Sequence, residues 1–260
     1  FSEDGKYNKN NIPANAQHWY DQYSEQISAL VEAQTDNSLT LSEWKNIREG
    51  QFAKETNTVS PLCSTQWDQG CYYNASCPAD GGGDCGCTYT GCVATTMAQI
   101  MKYWNYPVTG TGSHSYTHAT YGTISANFGT TTYNWGSMPD NVWTSNSAVA
   151  TLMFHCGVSV DMNYGPSGSG AFSYAVPAAF TTYFGYQNTA ELKFLADFTT
   201  ANWIALLKNE LDAARPIYYS WVDGTYGHAF VCDGYNSSNQ FHFNWGWSGW
   251  NDGYYTIGNL

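Results

Sequence analysis

Charge is what this chain has least of. Only 12% of its 260 residues are Asp, Glu, Lys or Arg, and the basic ones are scarcest: 9 against 21 acidic, a formal net charge of −12. A surface of that sign repels phosphate backbones and anionic lipid, so nucleic acid and membrane surfaces are poor partners. No apolar run reaches the ~20 residues that a membrane-spanning helix needs. The opening Phe1-Ser2-Glu3 has neither a methionine nor a basic-then-apolar leader, as expected of a chain whose signal peptide was removed or never included. The stretch Tyr164-Gly165-Pro166-Ser167-Gly168-Ser169-Gly170 lacks the Gly-Lys-Ser/Thr ending of a nucleotide-phosphate loop, which excludes that role and leaves a pocket wall or a plain surface loop.

What is present is aromatic and sulfur-rich. Tyr, Trp and Phe make up 17% of the chain, with 25 Gly and 8 Cys. This composition reads as a compact, loop-rich extracellular type of protein, secreted or held at a cell surface or in a periplasm. Five cysteines, Cys63, Cys71, Cys77, Cys85 and Cys87, crowd a polar Gly-rich segment and allow two loop disulfides with one thiol left over. No histidine lies among them and their spacing fits no common zinc module, so no metal and no cofactor is expected. Cys156 and Cys232 sit in apolar sequence.

The eighth cysteine, Cys92, stands apart. Val93, Met97, Ile100, Met101 and Trp104 fall at the three- and four-residue spacings of one helical face, and Asn105-Tyr106-Pro107 ends the run. Cys92 is therefore expected at the first helical position behind Gly91, where unpaired amides and the helix dipole favour a thiolate. An ordinary buried or disulfide-bonded cysteine is the plain alternative.

Further helices are expected from Ser147 to near Cys156-Gly157, from Ala171 to Phe184 with Pro177 starting or interrupting it, and from Asn202 to Ala214. Val158 to Met162 alternates like a strand. Strands are then expected over 216–222, 227–235 and 240–245, with turns at Asp223-Gly224 and Asn236 to Asn239. Helices first and antiparallel strands last indicate an α+β protein, a helical part facing a sheet. Near the start, Trp19, Tyr20, Tyr23, Ile27, Leu30 and Val31 keep a helical period, and Thr40-Leu41-Ser42-Glu43 announces a second short helix. These two are either a layer of the main domain or a detachable segment docking on it.

A thiolate nucleophile needs a base, a group that orients the base, and donors for the developing oxyanion. Of six histidines, His228 is best placed, with Gly227 leaving room before it and Ala229-Phe230-Val231 anchoring the strand behind it. Asn244 and Trp245 form a reasonable orienting and shielding pair, although a flat hairpin turning at 236–239 puts Asn244 nearer Val231 than His228, so a bulge or bend is required. The amide of Cys92 is one oxyanion donor, and Gln69 in the preceding loop is a candidate for the other.

These residues resemble a known family. Gln69-Gly70, Tyr73-Asn74, Gly91-Cys92-Val93-Ala94-Thr95, Ala98-Gln99-Ile100-Met101-Lys102-Tyr103 and Asn105-Tyr106-Pro107 are similar to blocks of the streptopain family of bacterial cysteine peptidases. The likeness runs on in order through 157–162, Tyr164-Gly165-Pro166-Ser167, Gly227-His228-Ala229-Phe230-Val231, Asp233-Gly234, Asn244-Trp245-Gly246-Trp247 and Asp252-Gly253. The resemblance implies a papain-like fold, its helical half carrying the nucleophile against a sheet half carrying the histidine, and secreted endopeptidase activity on proteins or peptides. It implies Cys92 as nucleophile, His228 as base, Gln69 as oxyanion donor, Asn244 orienting His228 and Trp245 shielding it. By position, the Ser167 loop, the 221–226 segment with Gly227, and Trp247 are expected to wall the substrate cleft. Residues 1–57 resemble, more loosely, the end of the family's propeptide, making 58–260 the peptidase domain and the attached segment a partner that holds it latent. A Cys–His cell-wall amidase, and a non-enzymatic aromatic-rich module binding carbohydrate or protein, are the alternatives.

Overall fold

The computed structural model describes residue 28, residues 58–222 and residues 227–257. The chain divides into two units, Phe1–Lys54 and Glu55–Leu260. The two N-terminal helices and the Asp223-Gly224 turn lie outside the described residues.

Helix α1 spans Cys92–Trp104 and ends where Asn105 turns left-handed, at φ 47°. The β1–β2 hairpin, Ser113–His118 and Gly122–Asn127, follows. Helix α2, Ser147–Val158, is capped by the Asn146 side chain on the Val149 amide. Helix α3, Val176–Phe184, has Pro177 in its first turn, so this proline starts the helix, and Gly185 closes it at φ 67°. Helix α4, Thr200–Asp212, is capped by Thr199 on the Asn202 amide. Strands β3 (Ile217–Val222), β4 (Gly227–Tyr235), β5 (Gln240–Asn244) and β6 (Gly253–Thr256) form one antiparallel sheet in the order β3-β4-β5-β6. Beyond the end of β3, Val59 and Leu62 take up pairing with β4, through Val59–Tyr235 bonds of 2.9 Å in both directions and Leu62 N–H to Asp233 carbonyl at 3.0 Å.

The alternation of β4 explains how the two halves meet. Ala229 and Val231 join a core with α1, α2 and α3, including Met97, Met101, Leu152, Met153 and Phe184. Phe230 and Cys232 point the other way, to Trp203, Leu207 and Leu211 of α4 and to Phe241 and Phe243. Each large side chain sealed this way contributes roughly 1.5–3 kcal/mol, so β4, buried from Ala229 to Tyr235, is fixed from both faces. His228 stands at its open end. The α+β expectation holds, with the helix that Cys92 opens packed on the sheet that carries His228. Among the described residues no helix is long and apolar enough to cross a membrane.

One expectation about local structure fails, and another is met in part. Val158 to Met162 is not a strand: Val158 ends α2, and the chain turns through Asp161 at φ 52° while Val160 and Met162 donate back to the Gly157 carbonyl. Val158, Val160 and Met162 are all buried, and a tight turn under the core imitates period two. Of the two loop disulfides that the cysteine cluster allows, one forms, Cys71–Cys85; Cys63, Cys77 and Cys87 are unpaired. Cys63 is drawn away from the loop, its N–H bonded to Asp233 Oδ2 at 2.9 Å.

Candidate active site

Cys92 opens α1, as the sequence predicts. Gly91 before it sits at φ 87°, and a Cβ there would lie 2.7 Å from Met162 Sδ and 3.0 Å from the Ser169 carbonyl. Only glycine fits between the turn after α2 and the glycine-rich loop. No side chain caps the helix, so its first amides remain available. The Cys92 sulfur, partly buried, is reached by the N–H groups of Val93 and Cys92 itself and by that of Ala229. The Ala229 N–H belongs to the peptide that joins His228 to Ala229, so the sulfur lies against the mouth of β4.

His228 donates from Nε2 to the Trp245 carbonyl, 2.8 Å away. A carbonyl only accepts, which fixes the tautomer: hydrogen on Nε2, lone pair on Nδ1. The ring is stacked on Trp247 at 4.7 Å between centroids and flanked by Trp245 and Phe230 at 6.0 Å each. Burial pulls the imidazole below its ordinary range, while the Trp245 carbonyl opposes this. Trp245 is held in turn by Asp252, whose Oδ1 accepts the Trp245 N–H at 2.9 Å, and by its own indole N–H on the Asn251 carbonyl at 3.0 Å. Trp245 therefore meets His228 twice, through its indole ring and through its backbone carbonyl.

The orienting bond expected from the Asn244 amide to His228 is not made. Asn244 remains opposite Val231. A bulge at Asp233 does shift the register by one, from Gly234–His242 to Cys232–Phe243, which moves Asn244 from opposite Cys232 to opposite Val231, still short of His228. Asn244 is buried and engaged elsewhere: its Oδ1 accepts from Gln99 Nε2 at 3.0 Å and from the Gly246 N–H at 3.1 Å, and its Nδ2 donates to the Thr65 carbonyl.

The thiol is not acidified in the way its helix position suggests. Burial pushes Cys92 up, and the Ala229, Val93 and Cys92 amides pull it down without cancelling the burial. Sequence weighed the helix start and could not weigh the walls. Tyr218 of β3 is one of those walls. Burial pushes its phenol up, a 2.9 Å bond to Ser173 Oγ opposes this, and the charge of a Cys92 thiolate would push it further up.

Gln69 lies where its segment is stitched to the loop after β5. Its Nε2 is 3.5 Å from the Gly246 carbonyl, Ser248 Oγ donates to Asp68 Oδ2 at 2.6 Å, and the Ser248 N–H donates to the Trp67 carbonyl at 3.2 Å. That contact at Gly246 is long, which leaves the Gln69 amide able to turn to another acceptor. Ser167 is exposed on its loop, whereas Ser169 ties the loop down, its Oγ donating to the Tyr89 carbonyl at 2.6 Å and accepting from the Gly165 N–H. Gly227 is exposed and opposite Val222. Trp247 covers His228 and is 37% exposed, a face turned to solvent. Asp252, Tyr218 and Ser169 are the participants that sequence reasoning missed; only Asp252, in the Asp252-Gly253 block, carried any signal. Among the described residues the grouping that could hold a metal is Cys71, Asp84 and Cys85, and its two sulfurs are spent on each other.

The sequence profile of the Peptidase C10 family matches residues 67–255. The thiol protease/hemagglutinin PrtT of Porphyromonas gingivalis is 33% identical over 268 residues, covering 96% of this chain and 30% of PrtT. Streptopain of Streptococcus pyogenes is 38% identical over 180 residues, 65% of this chain and 45% of streptopain. The chain thus spans less than half the length of either relative. Among solved structures, active interpain A cysteine protease of Prevotella intermedia is similar with a TM-score of 0.71 at 41% identity, covering 80% of this chain and 88% of that one. A prointerpain A fragment gives 0.71 at 37%, covering 95% and 78%. The shared architecture is the papain-like one. Because the matched span begins ahead of Gln69, runs past Asp252 and encloses Cys92, His228 and Trp245, this chain belongs to the Peptidase C10 family.

Proposed function

We propose that this protein is a cysteine endopeptidase acting on proteins through an acyl-enzyme. One observation carries the reading: the Cys92 sulfur rests on the peptide N–H that follows His228, while His228 keeps its Nε2–H on a carbonyl and so offers Nδ1 as the base. The thiol proton passes to Nδ1, and the sulfur attacks the substrate carbonyl carbon. In these walls neither ion is favoured alone, so thiolate and imidazolium form as a pair, each offsetting the other's desolvation. The developing oxyanion takes the Cys92 amide and the Gln69 side chain. His228 then returns the proton to the leaving amine, and water, deprotonated at the same nitrogen, releases the acid.

Ser167, Gly227 and Trp247 are the expected cleft walls. Residues 1–57 are read as a propeptide segment, supported by the prointerpain match reaching 95% of this chain where the active enzyme's reaches 80%. Action outside the cell fits the acidic composition and the loop disulfide.

The test is parallel digestion of casein and purified cell wall under reducing conditions, with mass spectrometry of the protein itself. Casein cleavage and loss of an N-terminal piece, both abolished in Cys92→Ala, are expected. Cell-wall release without casein cleavage would replace this reading with an amidase, and ligand binding unchanged in Cys92→Ala with no turnover would leave a binding module.

A further inference from the structure

Gln99 is completely buried on α1, seven residues after Cys92 and so on the same face of the helix. A carboxamide there must find partners, and this one is used at both ends. Its Oε1 accepts from Thr65 Oγ1 at 2.9 Å and from the Trp67 N–H at 3.4 Å; its Nε2 donates to Asn244 Oδ1 at 3.0 Å. Asn244 closes the ring on the Thr65 carbonyl and on the Gly246 N–H. Gly246, at φ 70°, lies so close to α1 that a Cβ there would be 3.0 Å from Thr95 Cγ2.

Three segments meet in this ring, and each delivers a different part of the site. The helix delivers the Cys92 sulfur. The Thr65–Trp67 segment runs directly into Gln69. Asn244 and Gly246 bracket Trp245, whose carbonyl fixes the His228 tautomer. The bonds are directional and buried, so they set distances more sharply than the apolar packing around them.

We propose that Gln99 and Asn244 together form the positioning link of this site, holding the sulfur, the carbonyl that orients His228 and the oxyanion amide at their working separations. Asn244 acts on the histidine through Gln99 and the Trp245 peptide, not by touching the ring. This rests on the peptidase reading, and it adds a residue that touches neither substrate nor the reacting atoms.

The test uses the full chain, with Gln99→Met, which keeps bulk and removes the bonds, and Thr65→Val, which removes only the hydroxyl donor. Three measurements are made: kcat and KM on a chromogenic peptide per titratable Cys92 thiol, the pH profile of Cys92 alkylation by iodoacetamide, and the melting temperature. The expected result for Gln99→Met is a kcat lower by about tenfold or more with KM within about twofold, because misplacement of reacting groups costs rate rather than binding. Its alkylation profile is displaced in pH. Thr65→Val moves both in the same direction by roughly two- to fivefold. Wild-type kcat per thiol together with a wild-type alkylation profile, at any melting temperature, overturns the proposal by making the ring structural only. If Gln99→Met does not fold, Thr65→Val decides on the same two readouts. Should wild type cleave no peptide yet show His228-dependent alkylation, the peptidase reading fails while the alkylation profiles still judge the link; absence of that dependence overturns both.

Discussion

Two places among the described residues bring a cysteine and a histidine together, with opposite results. In the last turn of α2, His155 is followed by Cys156; at the seam between α1 and β4, Cys92 faces the peptide after His228. His155 Nδ1 shares a 2.9 Å hydrogen bond with the Tyr133 hydroxyl, and the ring meets the edge of Phe128. Burial pushes it down to about 4. Cys156 is fully buried, its thiol pushed far up by burial and directed at Met101 Sδ, 3.6 Å away. Nothing can reach that sulfur. His228 is also surrounded by aromatic rings and also pulled down, but its bond to protein is made through Nε2, and its other nitrogen stays unclaimed. Residue type and apolar surroundings are common to both places; an open side distinguishes the second, where Cys92 and His228 are half-buried while His155 and Cys156 are buried.

The contrast breaks most sharply at the sulfurs. Cys92→Ala is expected to lower kcat/KM on casein-derived peptides by roughly 10⁴-fold or more. Cys156→Ala should leave kcat within about twofold and cost about 1–2 kcal/mol of stability in a urea titration. Next comes the base. His228→Ala should lower kcat about 10³-fold and abolish the lead of Cys92 over the other cysteines in iodoacetamide labelling at mildly acidic pH, since burial alone holds that thiol protonated. Comparable labelling of several cysteines in the wild type would remove the distinction. Gln69→Ala should cost on the order of 10²-fold in kcat with little change in melting temperature, the size of one lost oxyanion donor.

The smallest effect belongs to the inert pair and appears only against pH. A histidine at 6.5 when unfolded and about 4 when folded lets the unfolded chain bind the extra proton between those values. Stability from this group is complete above 6.5 and drains away as pH falls toward 4, by up to about 3 kcal/mol. His155→Gln keeps an acceptor for Tyr133 and should flatten that acid limb in denaturant titrations from pH 7 to 4. An unchanged limb would show that His155 is not the group responsible.

Much of this was legible in the chain because it is local. The helix opened by Cys92 and stopped by Asn105-Tyr106-Pro107, the proline at the start of α3, and the hairpin turning at Asn236 to Asn239 are each written in a few adjacent residues. So was the difficulty with Asn244: counting back from the turn put it opposite Val231, and there it stands. What could not be read is what arrives from a distance. The carbonyl that holds His228 carries no side-chain signature, and the walls that keep the Cys92 thiol protonated come from β3, β4 and the loop before α3. Val158 to Met162 misled because a buried turn and a half-buried strand conceal alternate residues alike.

The strip at Val59 to Leu62 has a bearing on maturation. Those residues are sewn into the lane beside β4, the strand that carries His228 near its start, so trimming from the amino terminus would meet a firm stop at the first stitch. On the proposed reading of residues 1–57 as a propeptide, the scissile bond would fall upstream of Val59, since a cut a few positions later would unpick the sheet it was meant to unveil.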